Sequence, residues 1–183
     1  MFARFVATAL VVLALATTAG ATGQTKNLQV FRDVQRQVLQ YPHFTIFDSV
    51  SAQVDDDTVT LIGKVTMPYK KDDIERRVSK LPSVGRVVNR IEVLPVSQFD
   101  DDLRFRIARA IYSNANFRPF ATMVNPPIHV IVEHGRVTLE GVVNSQVDRM
   151  LARSIAANFL TFDVKNALKT EAEVKAELEK LCW

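Results

Sequence analysis

The chain of 183 residues is poor in several residue types, with one cysteine, one tryptophan, three histidines and six glycines. Cys182 has no partner for an internal disulfide, which excludes a disulfide-stapled scaffold and leaves an exposed thiol or an intermolecular redox role. The hydrophobic share of 48% and the charged share of 23% exclude a disordered tail, a collagen-like repeat and a polytopic membrane protein. One globular domain or two small ones remain.

Patterns for catalysis and metal binding are also missing. The sequence has no nucleophile elbow, no phosphate-binding glycine loop and no paired-cysteine motif. No chelating companion at helical spacing accompanies His43, His129 or His134. The acidic run 55–57 lacks the alternating ligands and glycine of a calcium loop. We therefore expect a protein without enzymatic activity, metal or cofactor.

The net charge is small. It is +3 at pH 7, from 23 Lys and Arg against 20 Asp and Glu, and the sequence pI is about 9.1. A dedicated nucleic-acid binder has a denser basic stripe, so we expect no nucleic-acid partner.

The first 21 residues have the layout of a secretory signal peptide. Arg4 precedes an apolar run from Phe5 to Ala16, which is shorter than the roughly 20 residues that span a bilayer. Ala19 and Ala21 occupy the positions that a signal peptidase reads. We predict export with cleavage after Ala21, and an uncleaved membrane anchor is the alternative.

The rest of the chain contains an internal repeat. The segment 59–65, VTLIGKV, returns 78 residues later as 137–143, VTLEGVV. Val87, Asn89 and Ile91 have counterparts 77 residues later, beyond a one-residue deletion. We therefore predict one duplicated unit, over residues 26–94 and 99–170, with a short joining stretch between the copies. The second copy carries extra residues within 114–127.

Each copy is predicted to fold as helix, strand, strand, helix and strand. Apolar residues at helical spacing between Leu28 and Tyr41 indicate a helix with one buried face. Alternating apolar residues on both sides of the turn 55–57 indicate a hairpin. Because each element has one apolar side, we expect an α+β fold of two αββαβ units. Each unit is a small three-stranded mixed sheet with two helices packed on one face, and a C-terminal helix follows.

This repeated pattern resembles the BON (bacterial OsmY and nodulation) domain in tandem. The resemblance is carried by the strand motif 59–65, its second copy 137–143, and the helix-to-strand joint 81–89, LPSVGRVVN. It covers nearly all of the chain after residue 21. The resemblance implies an αββαβ fold, residence in the bacterial periplasm and a non-enzymatic envelope role, usually attachment to phospholipid membranes.

A glycine stands near the end of the second strand in both copies. Gly63 and Gly141 precede the second helix, where a residue without Cβ allows close backbone approach or a positive φ. We therefore interpret both as structural glycines.

The two copies differ most on their outer surfaces. Arg32 and Gln35 of the first copy become Phe105 and Ala108, and the second helix has three charged residues where the first copy has eight. Apolar side chains beside arginines suit an interface with anionic lipid. The predicted contacts are the apolar residues Phe105, Phe117, Phe120 and Met123 and the arginines Arg104, Arg106, Arg109, Arg118, Arg149 and Arg153.

These side chains also have an explanation that involves no partner. Phe117 and Phe120 can cover the core of their own unit, and Phe105 can pack against the neighbouring copy or the C-terminal helix. Exposed apolar patches do mark interaction sites, so both interpretations stay open.

Capping patterns predict two further helix starts. Thr170 and Glu173 have the spacing of a capping box before an apolar stripe, which predicts a C-terminal helix within residues 171–183. That helix can cover a face of the fold or mediate self-association. The acidic run 100–102 is predicted to cap a helix that begins near Leu103.

The sequence thus predicts a periplasmic binding module that attaches peripherally to an anionic phospholipid membrane, mainly through its second copy, in support of envelope integrity or stress tolerance. The first copy would serve as a scaffold or a docking unit for proteins. The alternative is a protein-interaction or chaperone-like module that binds envelope proteins. The oligomeric state stays open.

Overall fold

A computed structural model of the protein describes residues 19–180, with side chains for residues 26–177. Cys182 and almost all of the predicted signal peptide, residues 1–21, lie outside the described residues. The first described helix begins at Ala19. Within the described part of the chain, no helix combines the length and the apolar character that crossing a membrane requires.

The elements follow the predicted order. The first repeat contains α1 (Ala19–Leu39), β1 (Ser49–Asp55), β2 (Thr58–Val65), α2 (Pro68–Val78) and β3 (Arg86–Val93). The second contains α3 (Gln98–Ser113), α4 (Arg118–Ala121), β4 (Ile128–Glu133), β5 (Arg136–Val143), α5 (Gln146–Ala157) and β6 (Asp163–Thr170), and α6 (Glu171–Lys180) follows. The prediction of two αββαβ units and a C-terminal helix is confirmed, and the short α4 was not predicted.

The two sheets have the same topology and register. In each, the first two strands pair antiparallel and the third lies parallel to the second, in the orders β1-β2-β3 and β4-β5-β6. Val59 lies opposite Val87, and Val137 lies opposite Val164. The parallel pairs need a crossover, which α2 and α5 supply. The predicted mixed sheets are therefore confirmed.

Each repeat has its own apolar core between the sheet and its helices. In the first, Val34, Leu61 and Ile74 come from a helix, a strand and the second helix, and all three are fully buried. In the second, Ile107 and Leu139 lie in equivalent places, and Ala152 and Ala156 let α5 approach the sheet closely. Each amphipathic element thus covers its apolar side.

Gly63 and Gly141 are structural, as predicted. Their φ angles are +149° and +117°, a region that residues with a side chain rarely adopt. A Cβ added at Gly63 would lie 2.0 Å from the Ser49 carbonyl oxygen, and one at Gly141 would lie 1.8 Å from that of Pro127. Only glycine lets the first strand of each sheet come this close.

The prediction for the acidic run 100–102 is wrong in detail. Helix α3 begins at Gln98, and its N-cap is Ser97, whose hydroxyl accepts a hydrogen bond from the Asp100 amide at 3.2 Å. Asp100 is buried, and its carboxylate accepts from the amides of His134 and Gly135 at 2.9 and 2.8 Å. It therefore holds the β4–β5 turn against the start of α3.

The capping box at the last helix is confirmed. The Thr170 amide donates to the Glu173 carboxylate at 2.8 Å, and the Glu173 amide donates to the Thr170 hydroxyl at 3.2 Å. Arg149 of α5 forms a salt bridge with Glu173 at 3.1 Å, so α6 contacts the fold.

Residues 44–48, which lie between α1 and β1, connect the two repeats. Ile46 and Phe47 pack against the core of the second repeat, and the Val130 amide donates to the Ile46 carbonyl at 2.8 Å. A salt bridge joins Lys64 to Glu133. This salt bridge raises the pKa of Lys64 above its usual value, since the carboxylate favours the charged amine.

Candidate functional site

Three of the predicted lipid contacts are buried, which contradicts their assignment. Phe117 is fully buried and Phe120 nearly so, and both belong to the core of the second repeat. Their rings stack with centroids 6.3 Å apart and close the end of the core at the insertion. Arg104 is only 4% exposed, and its guanidinium donates a hydrogen bond to the Val132 carbonyl at 3.1 Å. The alternative that the phenylalanines cover their own core is confirmed.

Phe105 has a partner in the first repeat. Its ring meets that of Phe47 edge to face, with centroids 4.7 Å apart. The side chain nevertheless stays 62% exposed. Phe105 therefore belongs to the contact between the repeats, which we call the joint and which is formed by residues 44–48 and the second-repeat residues that they touch, and it borders solvent there.

The other predicted arginines reach the surface, but two of them have partners. Arg106 lies 3.4 Å from Asp102 and stands over the Phe159 ring at 5.5 Å from its centroid. Arg149 is partly buried at α6. Arg109, Arg118 and Arg153 are exposed, and Met123 is exposed in the insertion. The structure thus spreads the predicted residues over several faces.

A different apolar surface runs along the outside of α5. Val147, Met150 and Ala157 recur at helical spacing with the uncharged, polar Ser154 among them, and all four are exposed. Their counterparts 78 residues earlier are Tyr69, Asp72, Arg76 and Ser79. The second repeat has therefore lost the charges from this face, which we call the α5 face.

A second apolar group lies just beyond the C-terminal end of α5. Leu160 is 84% exposed and Phe162 is 82% exposed, and Phe99 at the start of α3 is half exposed. Both phenylalanine rings border the β4–β5 turn, since a Cβ added at Gly135 would lie 2.7 Å from Phe162 and 3.5 Å from Phe99. We call Phe99, Leu160 and Phe162 the apolar tip.

A comparison of the two repeats shows how the fold accommodates the bulky side chain of Phe162 in the tip. The Phe162 amide donates to the Gly135 carbonyl at 2.9 Å, just as the Gly85 amide donates to the Asp57 carbonyl at 2.8 Å in the first repeat. A Cβ at Gly85 would lie 2.5 Å from the Asp57 carboxylate. In each repeat, one of the two residues that face each other is therefore glycine. In the first repeat Gly85 faces Asp57, and in the second repeat Gly135 faces Phe162.

Positively charged side chains lie near the apolar tip. Arg136 and Lys165 are exposed, and with Phe162 they border a cleft of about 930 Å³ between the uncovered faces of the two sheets. The cleft also contains the acids Glu92, Glu133, Glu140 and Asp163. Lys64 contacts two of these acids, Glu92 at 3.5 Å and Glu133, so part of the negative charge is already compensated.

Sequence reasoning missed the residues of the tip and most of the α5 face. The repeat contained the signal, because Phe162 replaces Gly85 and the counterpart of Met150 is Asp72. The sequence does not show which aromatic side chains are buried, since Phe117 and Phe162 are the same residue type and lie in loops of the same repeat, yet Phe117 is buried and Phe162 is exposed. Only the fold distinguishes the buried ring from the exposed one.

The described residues contain no group of three or more His, Cys, Asp and Glu side chains placed to hold a metal ion. His129 lies between the repeats, with its ring 5.6 Å from that of Phe44. Burial lowers the pKa of His129, while Asp48 and Glu140 partly oppose the shift. A neutral imidazole packed in this way is a structural feature of the joint.

A family model for the BON domain matches residues 29–95 and 99–172, which is most of the chain. The protein therefore belongs to the BON-domain family and carries the domain twice. BON domains occur in envelope-associated proteins and are generally non-enzymatic.

Two solved structures of one Chlamydia trachomatis protein are similar to this chain. One is the C-terminal domain of CdsD, a structural protein of the type III secretion system, at 17% identity, covering 84% of this chain and 70% of that one, with a TM-score of 0.32. Another CdsD structure has 13% identity, 82% and 97% coverage and a TM-score of 0.27. No curated protein matches the sequence.

Proposed function

We propose that this tandem BON protein attaches peripherally to anionic phospholipid membranes in the periplasm, through the α5 face and the apolar tip of its second repeat. The observation that carries the proposal is the difference between the repeats. Where the second exposes Met150 and Phe162, the first has Asp72 and Gly85. The repeats share one fold, so packing alone does not require these apolar side chains outside.

The tip has the form of a shallow membrane anchor. Leu160 and Phe162 expose more than four fifths of their side chains, so insertion would remove most of their apolar surface from water. Full burial of such a side chain is worth roughly 1.5–3 kcal/mol. The lower end of that range applies because the bilayer interface covers a peripheral anchor incompletely.

Exposed cations on the same repeat supply the preference for anionic lipid. Arg136 and Lys165 border the cleft beside the tip, and Arg153 lies on α5. Each basic residue near an anionic leaflet adds about 1 kcal/mol, and salt screens this attraction. Apolar insertion and charge together provide the two signals that a stable peripheral attachment needs.

Liposome co-sedimentation tests the proposal. The chain is compared on vesicles of phosphatidylglycerol with phosphatidylcholine and on vesicles of phosphatidylcholine alone, as wild type and as Leu160→Ser/Phe162→Ser. We expect binding to the anionic vesicles only, weakened by added salt, and reduced about a hundredfold in the variant, from about 1.5 kcal/mol for each side chain.

Val96→Ser is the matched control, because Val96 is 98% exposed in the stretch that joins the repeats. It should pellet like the wild type. Equal pelleting of wild type and double variant, or equal pelleting on both vesicle types, would refute the proposal. Binding that resists salt and needs an envelope protein rather than lipid would favour a protein-interaction module.

A further inference from the structure

The first repeat has a separate cleft of about 620 Å³ between the C-terminal ends of α1 and α2. One wall is formed by residues 41–43 and Gln37, and the other by side chains on one face of α2 and the turn after it. This cleft is distinct from the α5 face and the apolar tip, which belong to the second repeat.

Cationic side chains dominate the α2 wall. Arg76, Arg77 and Lys80 line the cleft with Asp73 as the one carboxylate, which leaves two formal positive charges. The C-terminal dipole of α2 offsets about half a unit of this charge. Among the described side chains, neither Arg77 nor Lys80 forms a salt bridge, so most of the excess is available to a ligand.

Several contacts hold the wall in place before any ligand arrives. The Arg77 guanidinium lies over the Tyr41 ring at 5.2 Å from its centroid. The Tyr41 hydroxyl donates to Asp73 at 2.8 Å, and Asp73 also pairs with Arg76 at 3.3 Å. A single carboxylate thus positions the aromatic ring and one arginine. Preorganised donors lose less entropy when a ligand binds.

The opposite wall is aromatic. The His43 ring lies between Tyr41 and Tyr69, with centroid separations of 5.6 and 5.9 Å and edge-to-face geometry in both pairs. Pro42 and Leu81 complete the apolar lining. Such a wall suits the organic part of a ligand whose anionic group faces the cations.

We propose that this cleft binds a phosphomonoester. Two guanidinium groups and one ammonium converge on it, and arginine forks match phosphate oxygens in bidentate geometry. A phosphomonoester carries about −1.5 to −2 charges at pH 7, which matches the excess of the cleft. The ligand can be a soluble phosphorylated molecule or the head group of phosphatidic acid, because both present the same group.

The test titrates the full chain with inorganic phosphate, followed by the backbone amide shifts in NMR spectra, against potassium chloride at matched ionic strength. We expect saturable shifts at residues 41–43 and 76–81 with phosphate only. Arg77→Gln should weaken binding about tenfold or more, as expected for loss of a hydrogen bond to a charged group. Lys80→Gln should act similarly, and its exposed position in a turn keeps the fold unaffected.

Arg32→Gln is the control, since Arg32 is an exposed arginine of α1 outside the cleft. It should bind phosphate like the wild type. Shifts that do not saturate, or equal affinity in wild type, Arg77→Gln and Lys80→Gln, would overturn the proposal. The outcome is independent of the tip, because Leu160→Ser/Phe162→Ser should still bind phosphate.

Vesicles of phosphatidylcholine with phosphatidic acid distinguish the two sources of the ligand. If lipid is the source, these vesicles pellet Leu160→Ser/Phe162→Ser, and adding Arg77→Gln to that variant abolishes the pelleting. If the source is soluble, phosphate binds without such pelleting. Failure of both arms overturns the site and leaves the membrane proposal untouched.

Discussion

Replacing Asp48 by asparagine should destabilise the protein severely. Asp48 is fully buried directly before β1, and its carboxylate accepts from Lys70 Nζ at 2.6 Å. It also accepts from the amides and hydroxyls of Thr45 and Thr66 at 2.7–2.9 Å. These bonds hold the segment 44–48, which packs Ile46 and Phe47 onto the second repeat.

The magnitude follows from the burial of both partners. The Lys70 side chain is only 5% exposed, so Asp48→Asn leaves an ammonium group buried without a countercharge. Removing one partner of a buried pair costs about 3–5 kcal/mol. A domain of this kind has a total stability of roughly 5–15 kcal/mol, so the loss is a large share. With a urea slope near 2 kcal/mol per molar, the midpoint should fall by about 2 M.

Urea unfolding followed by circular dichroism measures this effect. A double-mutant cycle with Lys70→Met separates the pair from its surroundings, because Asp48→Asn/Lys70→Met leaves no buried charge. We expect the double variant to be more stable than Asp48→Asn alone. Asp55→Asn at the exposed end of β1 is the control and should unfold like the wild type. The reasoning is refuted if Asp48→Asn unfolds within about 0.5 kcal/mol of the wild type, or if the two single effects add.

The same pair predicts a pH dependence. Burial alone raises the pKa of Asp48, but the bonds from Lys70, Thr66 and Thr45 outweigh it and lower the pKa below 3.8. The folded state therefore binds this proton less readily than the unfolded state. The stabilisation is complete above about pH 5 and declines as the pH falls through the folded pKa, and Asp48→Asn should remove this part of the acid sensitivity.

Two further predictions concern the second repeat. Phe117→Ala should lower the free energy of unfolding by about 3–5 kcal/mol, because it leaves a cavity at a fully buried site. The folded variant should pellet with vesicles like the wild type. Weaker vesicle binding at unchanged stability would contradict the place of Phe117 in the core. Since burial lowers the pKa of His129 below 6.5, the free energy of unfolding should be constant above about pH 7 and decrease below about pH 6.5. His129→Gln should flatten that decrease in urea midpoints, and an identical slope in both proteins would contradict it.

The joint between the repeats lay beyond sequence reasoning. Ile46, Phe47 and Asp48 follow the first helix without periodicity, and nothing in their order shows that Asp48 pairs with Lys70 or that Phe47 meets Phe105. Such contacts join residues far apart in the chain. Local pattern determines which side of an element is apolar, but not which distant surface covers it.

The linear order of residues by itself determined the duplicated αββαβ plan, because alternation, helical spacing and the glycines at 63 and 141 act on neighbouring residues. It also showed that the copies differ outside their cores. Only the tertiary structure decided which aromatic side chains are exposed, enclosing Phe117 and leaving Phe162 in solvent. The physical reason is that burial depends on what packs against a residue, and the core that encloses Phe117 contains residues from distant elements of the chain.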